Sequence, residues 1–306
     1  MTRKLMIVMT FLLVFSTLTG CSTKPAKTVS LYKTDTNTMV QDKIQGQVPL
    51  RVAVSSILSP KETITVYQPL VDYLEDKLGY PVVLLQRRTY KEVNDLLQGS
   101  GADVAFVCSG GYVAGNESFG MELLAVPEVK GAIRYQSYVI ARDRGSKSIM
   151  DLRGRSFAFT DPMSFSGRIA PVYMLVSHST DSDHFFSRTF YTYSHDNAIR
   201  AVDDGIADAA AVDSMIFDRA VEKEPELGKR VFIIDKSLLV GSPPVVVNPT
   251  INRDLKLRLR EVLLKMHGDD RGRKALAALS YDKFVVADDN EYAELKSVWR
   301  ATRERL

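Results

Sequence analysis

Residues 160–171 read TDPMSFSGRIAP and set three hydroxyls (Thr160, Ser164, Ser166) and Gly167 just ahead of the apolar run Val172–Val176. Asp161-Pro162 reads as a turn, and Ser164 to Gly167 as the mouth of a helix. A helix start exposes N–H groups without partners and carries a partial positive charge. Two readings fit: a serine that simply caps the helix, or hydroxyls and amides that together seat an anion. Other residue types able to do chemistry are His195, at the start of HDNAIRAVDDG, Asp213, at the end of the apolar run DAAAVD, and Cys108. No G-x-S-x-G elbow, H-E-x-x-H pair or P-loop accompanies them. His178, His184 and His267 lack metal-ligand spacing, so neither a metal nor a cofactor is expected. Cys108, a lone thiol at a strand end, reads as a small buried hydrophobe.

The elements that must position these residues alternate. LRVAVS at 50–55 reads as a strand. A helix over about Ile64–Leu78 puts Val66, Leu70, Tyr73, Leu74 and Leu78 on one side, and Gly79 ends it. PVVLLQ, the short helix TYKEVNDLLQGSG and the strand ADVAFV follow. After a break the pattern resumes with strands YQSYVIAR (135–142) and SFAFT (156–160), the helix after Ser166, and the strand FYTYS (190–194). The helix from His195, the strand DAAAVD and the late strands RVFIID and PVVVN complete it, and the chain ends in charged helices. Strand-helix alternation of this kind predicts parallel sheets with crossover helices. Ligands in such sheets bind beyond the carboxyl ends of strands. SSILSP, DPMSFSG and SHDN are the polar turns at such ends.

The amino terminus carries an address. Arg3 and Lys4 precede the apolar run Leu5–Leu18, and Leu18-Thr19-Gly20-Cys21 matches a bacterial lipobox. Residues 1–20 are therefore expected to be a lipoprotein signal peptide, Cys21 the lipidated residue, and 21–48 a flexible tether. Loss of the signal removes two basic residues and no acid, so the formal charge falls from +3 to +1. That is no footprint for nucleic acid. With Cys21 lipidated, Cys108 has no partner for an internal disulfide, so the fold must rest on its core, which a 45% hydrophobic composition can supply.

Four motifs in order, GADVAFV after a TY helix, FAFTDPMSFSG, FFSR followed by a strand and SHDNAIRAV, and ADAAAVDS, resemble the phosphate, phosphite and phosphonate binding proteins of ABC importers. The likeness runs from about Val52 to Ser280. It implies an α/β fold, the two-lobed periplasmic-binding-protein type II clamp. Each lobe would be a mainly parallel sheet flanked by helices, joined by two crossover strands near YVIAR and LLVGSPP. Lobe 1 would span 49–138 plus 242–306, and lobe 2 139–241. The resemblance further implies a small oxyanion ligand, an ABC permease as partner, a monomer on the extracytoplasmic face, and no catalysis. Tyr90, Tyr135, Ser137, Ser164, Phe165, Ser166, His195 and Asp213 would line the ligand site, with Gly167 completing the helix-mouth motif. Plain caps, half-buried aromatics and hydrogen-bonded core groups are the alternatives for the same residues. Phe165 stands where the family motif commonly has a small residue, GSPPVV lacks an acid that holds the amine of aminoalkylphosphonates, and Asp213 would repel a dianion unless protonated or paired. A clamp serving a signalling partner, or a hydrolase, are the competing functions.

Overall fold

The computed structural model describes residues 48–180, 182–286 and 288–305. The expected signal peptide, Cys21 and nearly all of the tether lie outside them. Among the described residues, no helix is long and apolar enough to cross a membrane.

Strand β1 (Leu50–Val54) is almost wholly buried and pairs in parallel with β2 (Val82–Gln86) and β3 (Val104–Phe106). Between β1 and β2 runs α1 (Pro60–Leu78). It starts a turn earlier than the apolar spacing indicates, because Pro60 at its first position needs no N–H partner. Gly79, at φ 78°, closes it in the left-handed conformation. Helix α2 (Tyr90–Gln98) is started by a capping box. Glu92 N–H donates to Thr89 Oγ1, and Thr89 N–H donates to the Glu92 carboxylate at 2.8 Å. Helix α3 (Ser109–Phe119) follows β3 directly. Strands β4 (Glu122–Glu128), β12 (Val245–Val247) and β13 (Lys283–Val285) complete this sheet, whose order is β13-β4-β12-β3-β1-β2.

The second sheet has the order β10-β6-β9-β7-β8. Its strands are β6 (Ser137–Ala141), β7 (Ser156–Phe159), β8 (Arg188–Tyr191), β9 (Ala209–Asp213) and β10 (Phe232–Lys236). Helix α4 (Ala170–Ser177) follows β7, α5 (His195–Asp203) follows β8, and α6 (Ser214–Lys223) follows β9. Helices α7 (Arg253–Lys265), α8 (Asp270–Leu279) and α9 (Ala293–Thr302) close the chain. Each sheet keeps a parallel core, β2-β1-β3 and β8-β7-β9, but is mixed overall. Strands β12, β13 and β6 run against these cores, so that β12, β4, β13, β6 and β10 all make antiparallel pairs. Strand direction depends on where the chain re-enters the sheet, which local periodicity does not encode. A small ribbon, β5 (Arg134–Tyr135) against β11 (Val240–Gly241), lies on the passage from one sheet to the other and back. The stretch 138–142, expected as a crossover, is instead mostly β6 inside the second sheet, so the first passage comes a few residues earlier.

The core is continuous beneath the site. Tyr90, Tyr112, Tyr135, Phe165 and Ile169 pack with Cys108 and with Val240 and Tyr292 in one buried cluster. That cluster joins β1, β3 and α2 to the turn ahead of α4, so the helix mouth at Ser164–Gly167 is held by apolar packing from the other sheet.

Candidate functional site

The helix mouth owes its shape to a proline. Pro171 has no N–H, and its ring would crowd the carbonyl four residues back, that of Gly167. The backbone widens to avoid this, and Phe165–Ile169 forms a π turn in which Ala170 N–H donates to Phe165 O. Two carbonyls are thereby released from the helix ladder. Gly167 O accepts from Thr160 N–H at 3.3 Å, and Ser166 O accepts the Ser137 hydroxyl at 2.6 Å. Gly167 is required for the first contact: a Cβ there would lie 1.6 Å from Thr160 Oγ1. Ser164 is the N-cap, and its Oγ accepts Gly167 N–H at 3.0 Å. The capping reading therefore holds for Ser164. Ser166 has no such task. Its hydroxyl is fully buried and has no hydrogen-bond partner among the described residues.

The residues expected at the site converge. All eight are at most 2% exposed. The Tyr135 hydroxyl lies 3.9 Å from Cys108 Sγ, which lies 4.0 Å from Ser164 Oγ. The Tyr90 hydroxyl lies 3.5 Å from His195 Nε2. His195 Nδ1 accepts Asp213 N–H at 3.1 Å, and Asp213 pairs with Ser137 across β9 and β6. Phe165 packs edge-on against Tyr135, ring centres 5.8 Å apart. Within this cluster, Ser137 and Phe165 support the site, since the hydroxyl of one is spent on Ser166 O and the ring of the other on Tyr135. Tyr112 lies elsewhere, its hydroxyl donating to Asp289 at 2.7 Å and its ring against Tyr292. Among the described residues, no group of His, Cys, Asp and Glu could hold a metal.

Electrostatically the site is built from neutral donors. Burial pushes the His195 imidazole down from 6.5 to about 3, so the ring is uncharged at neutral pH. Nδ1 already accepts from Asp213 N–H, so the proton sits on Nε2 and can be donated. Burial raises the Tyr90 and Tyr135 phenols well above their ordinary value, which keeps both hydroxyls protonated. Asp213 caps α6 by accepting from Met215 N–H at 2.8 Å, and burial still pushes its carboxyl up to about 7. Near neutral pH this acid is therefore partly protonated, which lessens the repulsion that a full carboxylate would exert on an anion. Arg168 offers no counter-charge. Its guanidinium stacks over Phe159 at 4.4 Å and reaches Arg305 O.

Sequence reasoning missed three participants. Ser55, the residue after β1, has a buried hydroxyl without a partner; its position at a strand's carboxyl end was the available signal. Asp161 accepts Tyr90 N–H at 3.0 Å and Met163 N–H at 2.8 Å, tying α2 to the turn before the helix mouth. Cys108 is the small buried residue expected, its thiol held protonated by burial; what went unseen is that it lies between Tyr135 and Ser164.

Two α/β sheets joined by a two-stranded ribbon, with buried hydroxyls gathered where strands turn into helices, define the substrate-binding clamp of type II periplasmic binding proteins. The family model for the ABC transporter phosphonate periplasmic substrate-binding protein matches residues 52–292, and the chain belongs to that family. It is accordingly a substrate-binding protein and not an enzyme. Among solved structures, a binding protein component of an ABC phosphonate transporter from Pseudomonas aeruginosa superposes with a TM-score of 0.78 at 22% identity, covering 85% of this chain and 88% of the other. PhnD1 from Prochlorococcus marinus, solved with methylphosphonate, gives 0.76 at 16% identity over 83% and 98%. XAC2383 from Xanthomonas citri, solved with chloride ion, gives 0.71 at 19% identity over 84% and 99%.

Proposed function

We propose that this protein captures a small oxyanion, a phosphonate in the first place and otherwise phosphite or phosphate, between two lobes built around its two sheets, and hands it to the permease of an ABC importer. Lobe 1 would comprise 49–138 and 242–306, and lobe 2 139–241. Cys21 carries the lipid that holds the protein to the extracytoplasmic face of a membrane, with 21–48 as tether, and the protein works as a monomer. The ligand oxygens are received by Ser164 and Ser166 at the π turn, by His195 Nε2–H and by the hydroxyls of Tyr90 and Tyr135. The observation that supports this most directly is the Ser166 hydroxyl, buried, beside a helix mouth and without a partner. An unmet hydroxyl costs ~1–3 kcal/mol, and a ligand oxygen would recover that cost. Four to six charge-assisted hydrogen bonds at ~1.5–3 kcal/mol each, less the costs of association, are compatible with the ~−8 kcal/mol of a micromolar site.

Calorimetric titration with phosphate, phosphite, methylphosphonate, 2-aminoethylphosphonate and sulfate tests the reading. At least one phosphorus oxyanion should bind, and the double variant Ser164→Ala/Ser166→Ala should weaken it at least about tenfold. Undiminished affinity in the double variant would place the ligand elsewhere.

A further inference from the structure

Beside the seat lies a cavity of about 240 Å³. Ser55, Tyr135 and Asp213 line it and also belong to the cluster of buried groups around the helix mouth. Beyond them one part of the wall is apolar, with Ile57 and Leu58 from the loop after β1 and Val66 from α1 together with Met215, Ile216 and Leu239, while Gln136, Ser214, Asp218 and Ser280 also line the cavity. Its cations are already engaged. Lys130 pairs with Glu222 at 2.6 Å on an exposed edge, while Arg219 faces Glu62 and donates to Ala278 O. Arg134 pairs with Glu291 and Glu294. A second anionic group therefore finds no free positive charge there, and burying a charged group without a partner is costly. An apolar cavity of ~150 Å³ already accommodates benzene, so a methyl group would leave most of this one unused.

Resting on the anion seat proposed above, we infer that this cavity receives the carbon arm of the ligand, and that the ligand is a phosphonate whose arm is apolar or aromatic and larger than methyl. The head group lies against Ser164, Ser166, Tyr90 and His195. The arm leaves it past Tyr135 and Asp213 and is buried against α1 and α6.

Titration of the whole protein with methylphosphonate, 2-aminoethylphosphonate and benzylphosphonate, with two variants, decides the matter. Benzylphosphonate should bind at least about tenfold more tightly than either of the others, since single apolar carbons in a pocket change selectivity by roughly 10-fold or more. Leu239→Trp fills the cavity from a position that is 49% exposed, and Met215→Trp fills it from α6. Either should lower the ratio of benzylphosphonate to methylphosphonate affinity at least about tenfold. Tighter binding of methylphosphonate or 2-aminoethylphosphonate by the wild type, or an unchanged ratio in both folded variants, overturns the inference while leaving the seat intact. Absence of binding by all three compounds overturns the inference, and absence of binding by phosphate and phosphite as well overturns the seat itself.

Discussion

His195 should give the protein an acid-sensitive term of predictable size. The ring is 1% exposed, its Nδ1 accepts Asp213 N–H, and burial lowers its folded-state pKa from 6.5 to about 3. Below pH 6.5 the unfolded chain takes up a proton at this residue that the folded chain refuses until about pH 3. Acid therefore favours unfolding, and the contribution of His195, fully present above pH 6.5, is lost as pH falls. Each pH unit well inside that window is worth about 1.36 kcal/mol, and because the unfolded ring is only half protonated at pH 6.5 the loss from pH 6.5 to 4.5 is about 2.3 kcal/mol. Asp213 works in the opposite sense. Its folded-state value, raised from 3.8 to about 7, gives stability that is complete below pH 3.8 and is lost as pH rises toward 7. The two slopes offset each other between about pH 4 and 6.5, so the wild-type profile hides both. His195→Gln keeps an acceptor for Asp213 N–H and cannot be protonated. The stability difference between wild type and variant, from urea unfolding followed by circular dichroism at pH 4.5, 5.5, 6.5 and 7.5, should shrink by about 2.3 kcal/mol from pH 6.5 to 4.5. A difference that stays constant across that range would refute the assignment of a buried, neutral imidazole.

Gly167→Ala should destabilise the protein by about 1–3 kcal/mol in urea unfolding and abolish ligand capture, because its Cβ would collide with the buried Thr160 side chain; adding Thr160→Gly should restore part of the stability. Asp213→Asn should flatten the fall of methylphosphonate affinity between pH 6 and 8 relative to the wild type, since the variant has no carboxyl to ionise near 7; parallel pH profiles would show that this charge does not reach the ligand. Cys21→Ser should move the protein from the membrane to the soluble fraction and remove incorporation of labelled lipid; persistence at the membrane would mean that another segment holds it.

The alternation of strands and helices was legible because β1, β3, β7 and β9 are short apolar runs bounded by turns, and α1 and α2 carry clear stripes and caps. Helix α3 was not legible. Gly110, Gly111 and Gly115 dilute any stripe and read as breakers, yet Gly110 is there for contact: a Cβ would lie 2.2 Å from Met163 O. The reversed directions of β6 and β12 follow from the chain's passages between sheets. In the site, the serines and His195 could be named because strand ends followed by helix starts are a local signal. The roles of Ser55, Asp161 and Cys108 could not, because each depends on a partner more than 50 residues away or on the want of any. The π turn lay within reach: Pro171 stands four residues after Gly167, and the clash that follows is a local consequence.

In the binding reading proposed above, recognition and closure would use the same groups. Tyr90 N–H, at the start of α2, is held by Asp161 from the turn after β7. His195 N–H donates to Ile57 O at 2.9 Å, and Ser59 N–H donates to Asp196 at 2.9 Å, so the start of α5 grips the loop after β1. Lys223 on α6 reaches Glu62 on α1 at 2.8 Å, an exposed pair worth little by itself. The buried contacts are the more demanding ones, and they hold only when the two sheets lie close around the helix mouth. In that arrangement Ser55 from one side and Ser166 from the other are left with buried, unmet hydroxyls. A ligand that satisfies both gains its hydrogen bonds only in the closed arrangement, and a group bound only there stabilises closure by that difference in affinity. On that reading selectivity and closing would draw on one set of neutral donors, with Pro171 and Gly167 shaping the surface they present.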